Sequence, residues 1–93
     1  MAHARHVKKV REATAWMLTS KPKPVLPCVV RLCRVANSNG LDEHDNLPGS
    51  LKPFVDEMAH WLGLKDDRDP RVQWVYLQAR GKSYGVLIRV DAA

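Results

Sequence analysis

The sequence predicts an α+β domain in which two helices are packed with a mostly antiparallel three-stranded sheet. Apolar residues recur at helical spacing in two segments, and they alternate with polar residues in three others. Turn signals rich in Gly, Pro, Asn or Asp separate these segments. A chain of 93 residues is expected to form one domain over residues 1–93. Because such a domain buries only a small core, we also expect a homodimer.

The first helix is expected over residues 4–18. One side has an apolar stripe at helical spacing, formed by Val7, Val10, Ala13, Thr14, Trp16 and Met17. The opposite face is basic and suited to a phosphate backbone, through Arg5, Lys8, Lys9 and Arg11. Many such faces are merely solvated, so both interpretations stay open. Alternating Lys and Pro then predict an extended linker over residues 21–24.

The sheet is expected to consist of a strand at 25–35 and an antiparallel hairpin at 72–90. The first strand alternates, with Cys28, Val30 and Leu32 on one face. The turn at 80–83 contains Gly81 and joins two alternating runs. The three tryptophans, Trp16, Trp61 and Trp74, are expected in the core, and the two cysteines are expected to be reduced.

The second helix is expected from Pro48 or Ser50 to Leu62. Its apolar stripe comprises Leu51, Phe54, Val55, Met58, Trp61 and Leu62. Gly63 is suited to end the helix in a left-handed backbone conformation. Lys52 and Asp56 are spaced as an i,i+4 ion pair on the polar face.

Acidic residues gather on both sides of this helix, within residues 42–69. The two clusters hold most of the chain's ten carboxylates, at Asp42, Glu43, Asp45, Asp66, Asp67 and Asp69. Like charges are costly to hold together unless a cation lies between them. Carboxylate oxygens are ligands for Mg²⁺ and Mn²⁺, so the clusters predict a site for a hard divalent cation.

The rest of the chain is basic, with a net charge of +5 and an isoelectric point near 9.6. A basic body around an acidic site is typical of proteins that act on polyanions through a metal. No apolar run approaches the roughly 18 residues that span a bilayer. The sequence therefore predicts a soluble cytoplasmic protein without a membrane partner.

In element order and central residues, the chain resembles the RusA family of phage-type Holliday-junction resolvases. The motif residues are Glu43-His44-Asp45-Asn46, then Lys52 with Asp56, then Gly63-Leu64-Lys65-Asp66-Asp67 before the closing hairpin. The resemblance covers roughly residues 5–90 in element order, and its specific part lies within 42–69. It implies a Mg²⁺-dependent endonuclease, with Mn²⁺ possible, that cuts branched DNA as a homodimer in bacterial cells of phage or prophage origin.

The resemblance also assigns roles to residues of this chain. Asp45 and Asp67 would be catalytic carboxylates that bind the metal, with Glu43 as a further ligand and Asp66 as an alternative to Asp67. Lys52 would contact the scissile phosphate. Asn46 would orient the carboxylates. The basic face of the first helix, at Arg5, Lys8, Lys9 and Arg11, would join Lys52 in binding DNA.

Two other interpretations follow from the same residues. The family begins with a strand ahead of the first helix, whereas this chain starts at the helix. It is therefore also compatible with a shortened, catalytically inactive relative that binds nucleic acid or only dimerises. In the second interpretation, the clustered acids bind Mg²⁺ for structural reasons alone.

Overall fold

The computed structural model confirms an α+β fold of two helices and three strands. It describes the backbone of residues 2–37, 40–41 and 46–93, with side chains in the first helix from residue 7 onward. The elements in chain order are α1 (Ala2–Leu18), β1 (Cys28–Ala36), α2 (Asn46–Trp61), β2 (Val72–Arg80) and β3 (Gly85–Ala92).

The sheet is mixed, with the strand order β2-β1-β3. Strand β1 runs parallel to β2, pairing Cys28 with Val72, and antiparallel to β3, pairing Cys28 with Ala92. The predicted hairpin over residues 72–90 is therefore wrong, because β1 lies between its two arms. The expected mostly antiparallel sheet is corrected in the same way, since one of the two strand pairs is parallel.

Burial explains why β1 is the central strand. Its side chains at Cys28, Val30 and Leu32 are fully buried, whereas residues of β2 and β3 are mostly half-buried or exposed. A strand with a fully buried face must satisfy its backbone groups through neighbouring strands, and a central position does so on both sides. The predicted alternation of β1 is thus confirmed.

The connection between β2 and β3 crosses the end of β1. The backbone N–H of Gly81 donates to the carbonyl of Ala36, the last residue of β1, at 3.2 Å. A Cβ atom at Gly81 would lie only 2.6 Å from Cγ1 of Val35. Because strands two places apart are about 10 Å from each other, this short connection can reach β3 only by passing close over β1.

The side chain of Gln78 binds the backbone of Leu41, just ahead of the first predicted acidic cluster. The Gln78 amide accepts a hydrogen bond from the Leu41 N–H at 2.8 Å and donates one to the Leu41 carbonyl at 2.9 Å. The amide thus supplies both backbone bonds that a neighbouring strand residue would supply. Gly40 is close enough that a Cβ atom there would lie 2.9 Å from Gln78 Oε1.

Contacts divide the chain into two compact units, Met1–Lys23 with Lys52–Asp69 and Pro24–Leu51 with Pro70–Ala93. The second unit contains the sheet, and Leu47 and Leu51 are among its fully buried residues. The first unit contains α1 and most of α2, with Val55, Met58 and Ala59 buried. The expectation of one domain over residues 1–93 stays a prediction.

Helix α1 exposes residues that the sequence places in the core. Thr14 is buried and its hydroxyl donates to the Val10 carbonyl at 2.7 Å. Trp16 is 81% exposed and Met17 is 66% exposed, so their predicted core positions are wrong. Trp16 is on the side of α1 that points away from the buried Thr14, whereas Met17 is only about 60° around the helix from Thr14 and is exposed near the end of α1. Trp61 and Trp74 are half-buried.

Neither helix that the structure describes is both long enough and apolar enough to cross a membrane.

Candidate functional site

The side chain of Lys52 is held between two carboxylates of the first unit. Its ammonium lies 3.0 Å from Asp56 Oδ1, one turn along α2, and 2.8 Å from Asp67 Oδ2 in the loop that follows the helix. The predicted i,i+4 pair is thus confirmed, and Asp67 joins it. The hydrogen bond to Asp67 is the largest cause of a raised pKa of Lys52, and partial burial opposes it. Lys52 therefore carries a full positive charge at neutral pH.

The end of α2 explains how Asp67 reaches Lys52. Gly63 has φ of 77°, the left-handed conformation that glycine adopts without steric cost. The N–H of Leu64 donates to the Ala59 carbonyl at 2.9 Å, and that of Gly63 donates to the His60 carbonyl at 3.0 Å. This pair of bonds is a Schellman motif, and it confirms Gly63 as the residue that ends the helix. Because the motif reverses the chain, the loop brings Asp67 back to the first half of the helix.

Asp66 makes a separate and fully local set of contacts. Its Oδ1 accepts from the backbone N–H of Arg68 at 2.8 Å, and its Oδ2 accepts from Arg68 Nη2 at 3.0 Å. These bonds to Arg68 hold the pKa of Asp66 below its ordinary value and raise the pKa of Arg68. Both carboxylate oxygens of Asp66 are thus engaged within its own loop.

Arg11 connects α1 to α2 within the first unit. Its Nε donates to Glu57 Oε2 at 3.0 Å, and Glu57 is a buried residue of α2. This contact gives Arg11 a structural function beside the predicted DNA-binding one. Sequence reasoning missed Glu57, since nothing in the spacing of two residues on different helices indicates their contact.

One open concavity of about 330 Å³ collects four of the predicted site residues. Lys52, Asp66, Asp67 and Arg11 line it, although they come from three separate places in the chain. Asp56, His60 and Lys65 complete its polar lining, and the sequence had indicated no functional role for the last two. Basic side chains and carboxylates thus line the same site, which is open to solvent.

The remaining predicted residues are distributed as follows. Lys8 and Lys9 are exposed on α1, and Lys8 Nζ lies 3.9 Å from Glu12 Oε1. Asn46 is the first residue of α2 and is exposed. The predicted metal ligands Glu43 and Asp45, and the side chain of Arg5, lie outside the described residues. The structure thus neither supports nor contradicts their assigned roles.

Within residues 2–37, 40–41 and 46–93, no three His, Cys, Asp or Glu side chains are grouped so as to hold a metal ion. Asp66 and Asp67 are the predicted ligands that fall in this part of the chain. Asp67 Oδ2 contacts the Lys52 ammonium, which occupies a position between two carboxylates as a metal cation would. The oxygen donors at this point are of the kind that Mg²⁺ accepts.

Comparison of the chain with protein-family models, curated proteins and solved structures finds no match.

Proposed function

We propose that the chain is a Mg²⁺-dependent endonuclease that cuts branched DNA, as its resemblance to the RusA family implies, with Lys52 and Asp67 at its active site. The observation that supports this proposal is the shared concavity. Residues assigned to catalysis, to the metal and to DNA binding line one site, at Lys52, Asp67, Asp66 and Arg11.

Lys52 is suited to contact a phosphate. Its raised pKa keeps the ammonium protonated, and its side chain is 51% exposed, so a phosphate oxygen can approach it. Lysine acts on a phosphate as a compact point charge at the end of a flexible stem. It would stabilise the negative charge that develops on the phosphate during cleavage.

Asp67 is favoured over Asp66 as the metal ligand. The two oxygens of Asp66 accept a backbone N–H and a guanidinium from Arg68, which holds this carboxylate in its loop. Asp67 Oδ2 accepts from the Lys52 ammonium, which is carried on a flexible stem and can turn towards a phosphate when a divalent cation takes its place. Asp67 would thus bind the cation, and Lys52 would remain beside it.

When bound, Mg²⁺ would supply an activated water and neutralise charge on the scissile phosphate. The residues of the chain would hold this cation, orient the phosphate and supply Lys52 as a second positive charge. We further propose that Glu43 and Asp45 complete the ligand set and that a homodimer presents two such sites to a four-way junction.

The test compares Asp67→Asn with Asp56→Asn. Each substitution neutralises one of the two carboxylates that contact the Lys52 ammonium, so Asp56→Asn controls for disturbance of the lysine itself. On a labelled four-way junction with Mg²⁺ or Mn²⁺, we expect paired nicks that a linear duplex does not receive. Loss of a metal ligand should reduce cleavage by about 100-fold in Asp67→Asn, while Asp56→Asn stays within a few-fold of the parent chain.

Equal cleavage by the two variants would remove Asp67 from the active site. A parent chain that cuts neither substrate in either metal would contradict the enzyme itself. Sedimentation of the parent chain at several concentrations tests the homodimer, and a monomer mass at all of them would contradict it.

A second candidate function is nucleic-acid binding without cleavage. The contacts of Lys52 with both Asp56 and Asp67 favour it, because the ammonium already provides each carboxylate with a cationic partner in the absence of a metal. Junction binding that is unchanged by Mg²⁺, without any cleavage, is the result that this candidate predicts.

A further inference from the structure

The exposed face of α1 has an aromatic side chain that the structure leaves without a packing role. Trp16 is 81% exposed, and the neighbouring Met17 is 66% exposed. Tryptophan is usually buried over most of its surface, since its large ring gains more from burial than most side chains do. A ring exposed to this extent is available to a ligand with a flat aromatic surface of its own.

Exposed lysines lie on both sides of Trp16 along the chain. Lys8 and Lys9 precede it on α1, and Lys21 and Lys23 follow it in the linker. Lys9 and Trp16 are seven residues apart, so they share one stripe of the helix and lie about 10 Å apart along its axis. Glu12 is also on this stripe, and it lies 3.9 Å from Lys8. We call the exposed stripe of α1 that carries Lys9 and Trp16, together with the neighbouring Lys8, the Trp16 face.

We propose that the Trp16 face binds single-stranded DNA, with an unpaired base stacked on the Trp16 ring and neighbouring phosphates on the lysines. Surfaces that bind single strands combine positive charge, which follows the backbone, with aromatic rings on which bases stack. Any base offers a π-face, so this binding needs no particular sequence. The inference rests on the nucleic-acid part of the proposed function and does not require cleavage.

The charge and the distribution of apolar residues argue against other occupants. An interfacial membrane helix needs an apolar face along its length. In α1 the main apolar stripe is already partly covered, with Thr14 buried and Val7, Val10 and Leu18 half-buried. Two apolar side chains, at Trp16 and Met17, are too few to replace that stripe. A second copy of this chain would bring its own lysines against the same face, and like charges would oppose that contact.

The experiment measures binding of a fluorescein-labelled thymidine oligonucleotide to the full chain by anisotropy, in EDTA and low salt. A fully paired duplex of the same length serves as the second ligand. The variants are Trp16→Ala, Trp16→Phe and, as a matched control, Met17→Ala, which shortens an adjacent exposed side chain without removing a ring. Both positions are exposed, and circular dichroism and urea unfolding verify that each of the three variants folds.

The Trp16→Ala variant should bind the single strand about tenfold more weakly than the parent chain, because it loses one stacked base. Trp16→Phe should stay within about threefold of the parent chain because it retains a ring, and Met17→Ala should match the parent. Duplex binding should change by less than twofold in all variants. Substituting Lys8 and Lys9 by Gln should lower the salt dependence of single-strand binding by roughly 0.7 per lysine.

Three results would overturn the inference. The first is single-strand binding that Trp16→Ala leaves unchanged, or that it weakens no more than duplex binding. The second is failure of the parent chain to bind the oligonucleotide. The third is an effect of Trp16→Ala on binding to phosphatidylserine-containing vesicles, or on sedimentation mass, in the absence of an effect on the oligonucleotide. Because EDTA excludes cleavage, failure of the junction assay leaves this result intact, and failure here leaves the junction assay intact.

Discussion

The ion pair between Arg11 and Glu57 allows a structural function of Arg11 to be separated from a DNA-binding one. Its N–O distance is 3.0 Å, and the Arg11 side chain is 46% exposed whereas that of Glu57 is 12% exposed. Exposed pairs contribute about 0.2–1 kcal/mol, and breaking a fully buried pair costs about 3–5 kcal/mol. With one buried and one half-exposed partner, we expect Arg11→Met to cost about 1–2 kcal/mol, since solvent screens part of the interaction.

The assay is urea unfolding followed by circular dichroism, combined with junction binding in EDTA. A domain of this size has a urea dependence of about 1 kcal/mol per M, so the midpoint of Arg11→Met should fall by about 1–2 M. Glu57→Gln removes the carboxylate charge and retains Arg11. If Arg11 also contacts DNA, Arg11→Met should weaken junction binding, while Glu57→Gln should not weaken it.

The double variant completes the cycle and measures the coupling between the two side chains. We expect a coupling of about 1 kcal/mol that decreases in 1 M salt. An unchanged urea midpoint in Arg11→Met would refute the structural function of Arg11. Equal loss of DNA binding in Arg11→Met and Glu57→Gln would refute direct DNA contact, because the effect would then come from the fold of the first unit.

Three further predictions concern the strand connection, the cysteines and the loop carboxylate. Gly81→Ala should destabilise the chain by about 1–3 kcal/mol through overpacking. In the control Gly85→Ala, the added Cβ atom would meet nothing within 4 Å, so the urea midpoint should stay nearly unchanged. Equal midpoints for the two variants would contradict the crossing of β1. Iodoacetamide should modify Cys33 in the folded chain and Cys28 only after unfolding, as read out by mass spectrometry. The reason is that burial raises the pKa of the Cys28 thiol and blocks access to it. Labelling of Cys28 in the folded chain would contradict its burial. The pKa of Asp66 is lowered in the folded chain, so its contribution to stability is present above the ordinary aspartate pKa of about 4 and is lost as pH falls through the lowered value. The difference in urea midpoint between Asp66→Asn and the parent chain should therefore be largest at neutral pH and should shrink as pH falls below about 4. A difference that does not change with pH would contradict this linkage.

Local patterns in the sequence were sufficient to predict the individual elements. Both helices and all three strands lie within a few residues of the predicted bounds. The strand order could not be predicted in the same way. A four-residue connection fits a hairpin as well as it fits a crossing of β1. That β1 is central is seen only in the structure, where Cys28, Val30 and Leu32 are buried and the strand pairs with a neighbour on each side.

The spacing of apolar residues in α1 was compatible with burial of either of two helix faces, one centred on Thr14 and one that includes Trp16. Trp16 lies about 160° around the helix from Thr14, so the two cannot share a narrow buried face. The prediction chose a stripe wide enough to include both, because a tryptophan is usually buried. Only the packing of the first unit decides between them, and it buries the smaller residue.

The candidate site shows the same limit. The pairing of Lys52 with Asp56 follows from their spacing on one helix face. The contact of Lys52 with Asp67 depends on the chain reversal at Gly63, which the sequence indicated without giving its direction. The contact of Arg11 with Glu57 joins residues that are 46 positions apart, and no local pattern encodes it.

The central position of β1 has a consequence for how the chain folds. This strand is made first, yet both of its partners lie in the last quarter of the sequence, at Val72–Arg80 and Gly85–Ala92. The paired residues are 44 positions apart between β1 and β2 and 50 to 64 positions apart between β1 and β3. Closing loops of this length is costly in chain entropy and slow. During synthesis, β1 therefore lacks its strand partners until the residues of β2 and β3 have been made. The complete sheet therefore forms late, and the helices, whose backbone hydrogen bonds are local, are the elements that can form before it.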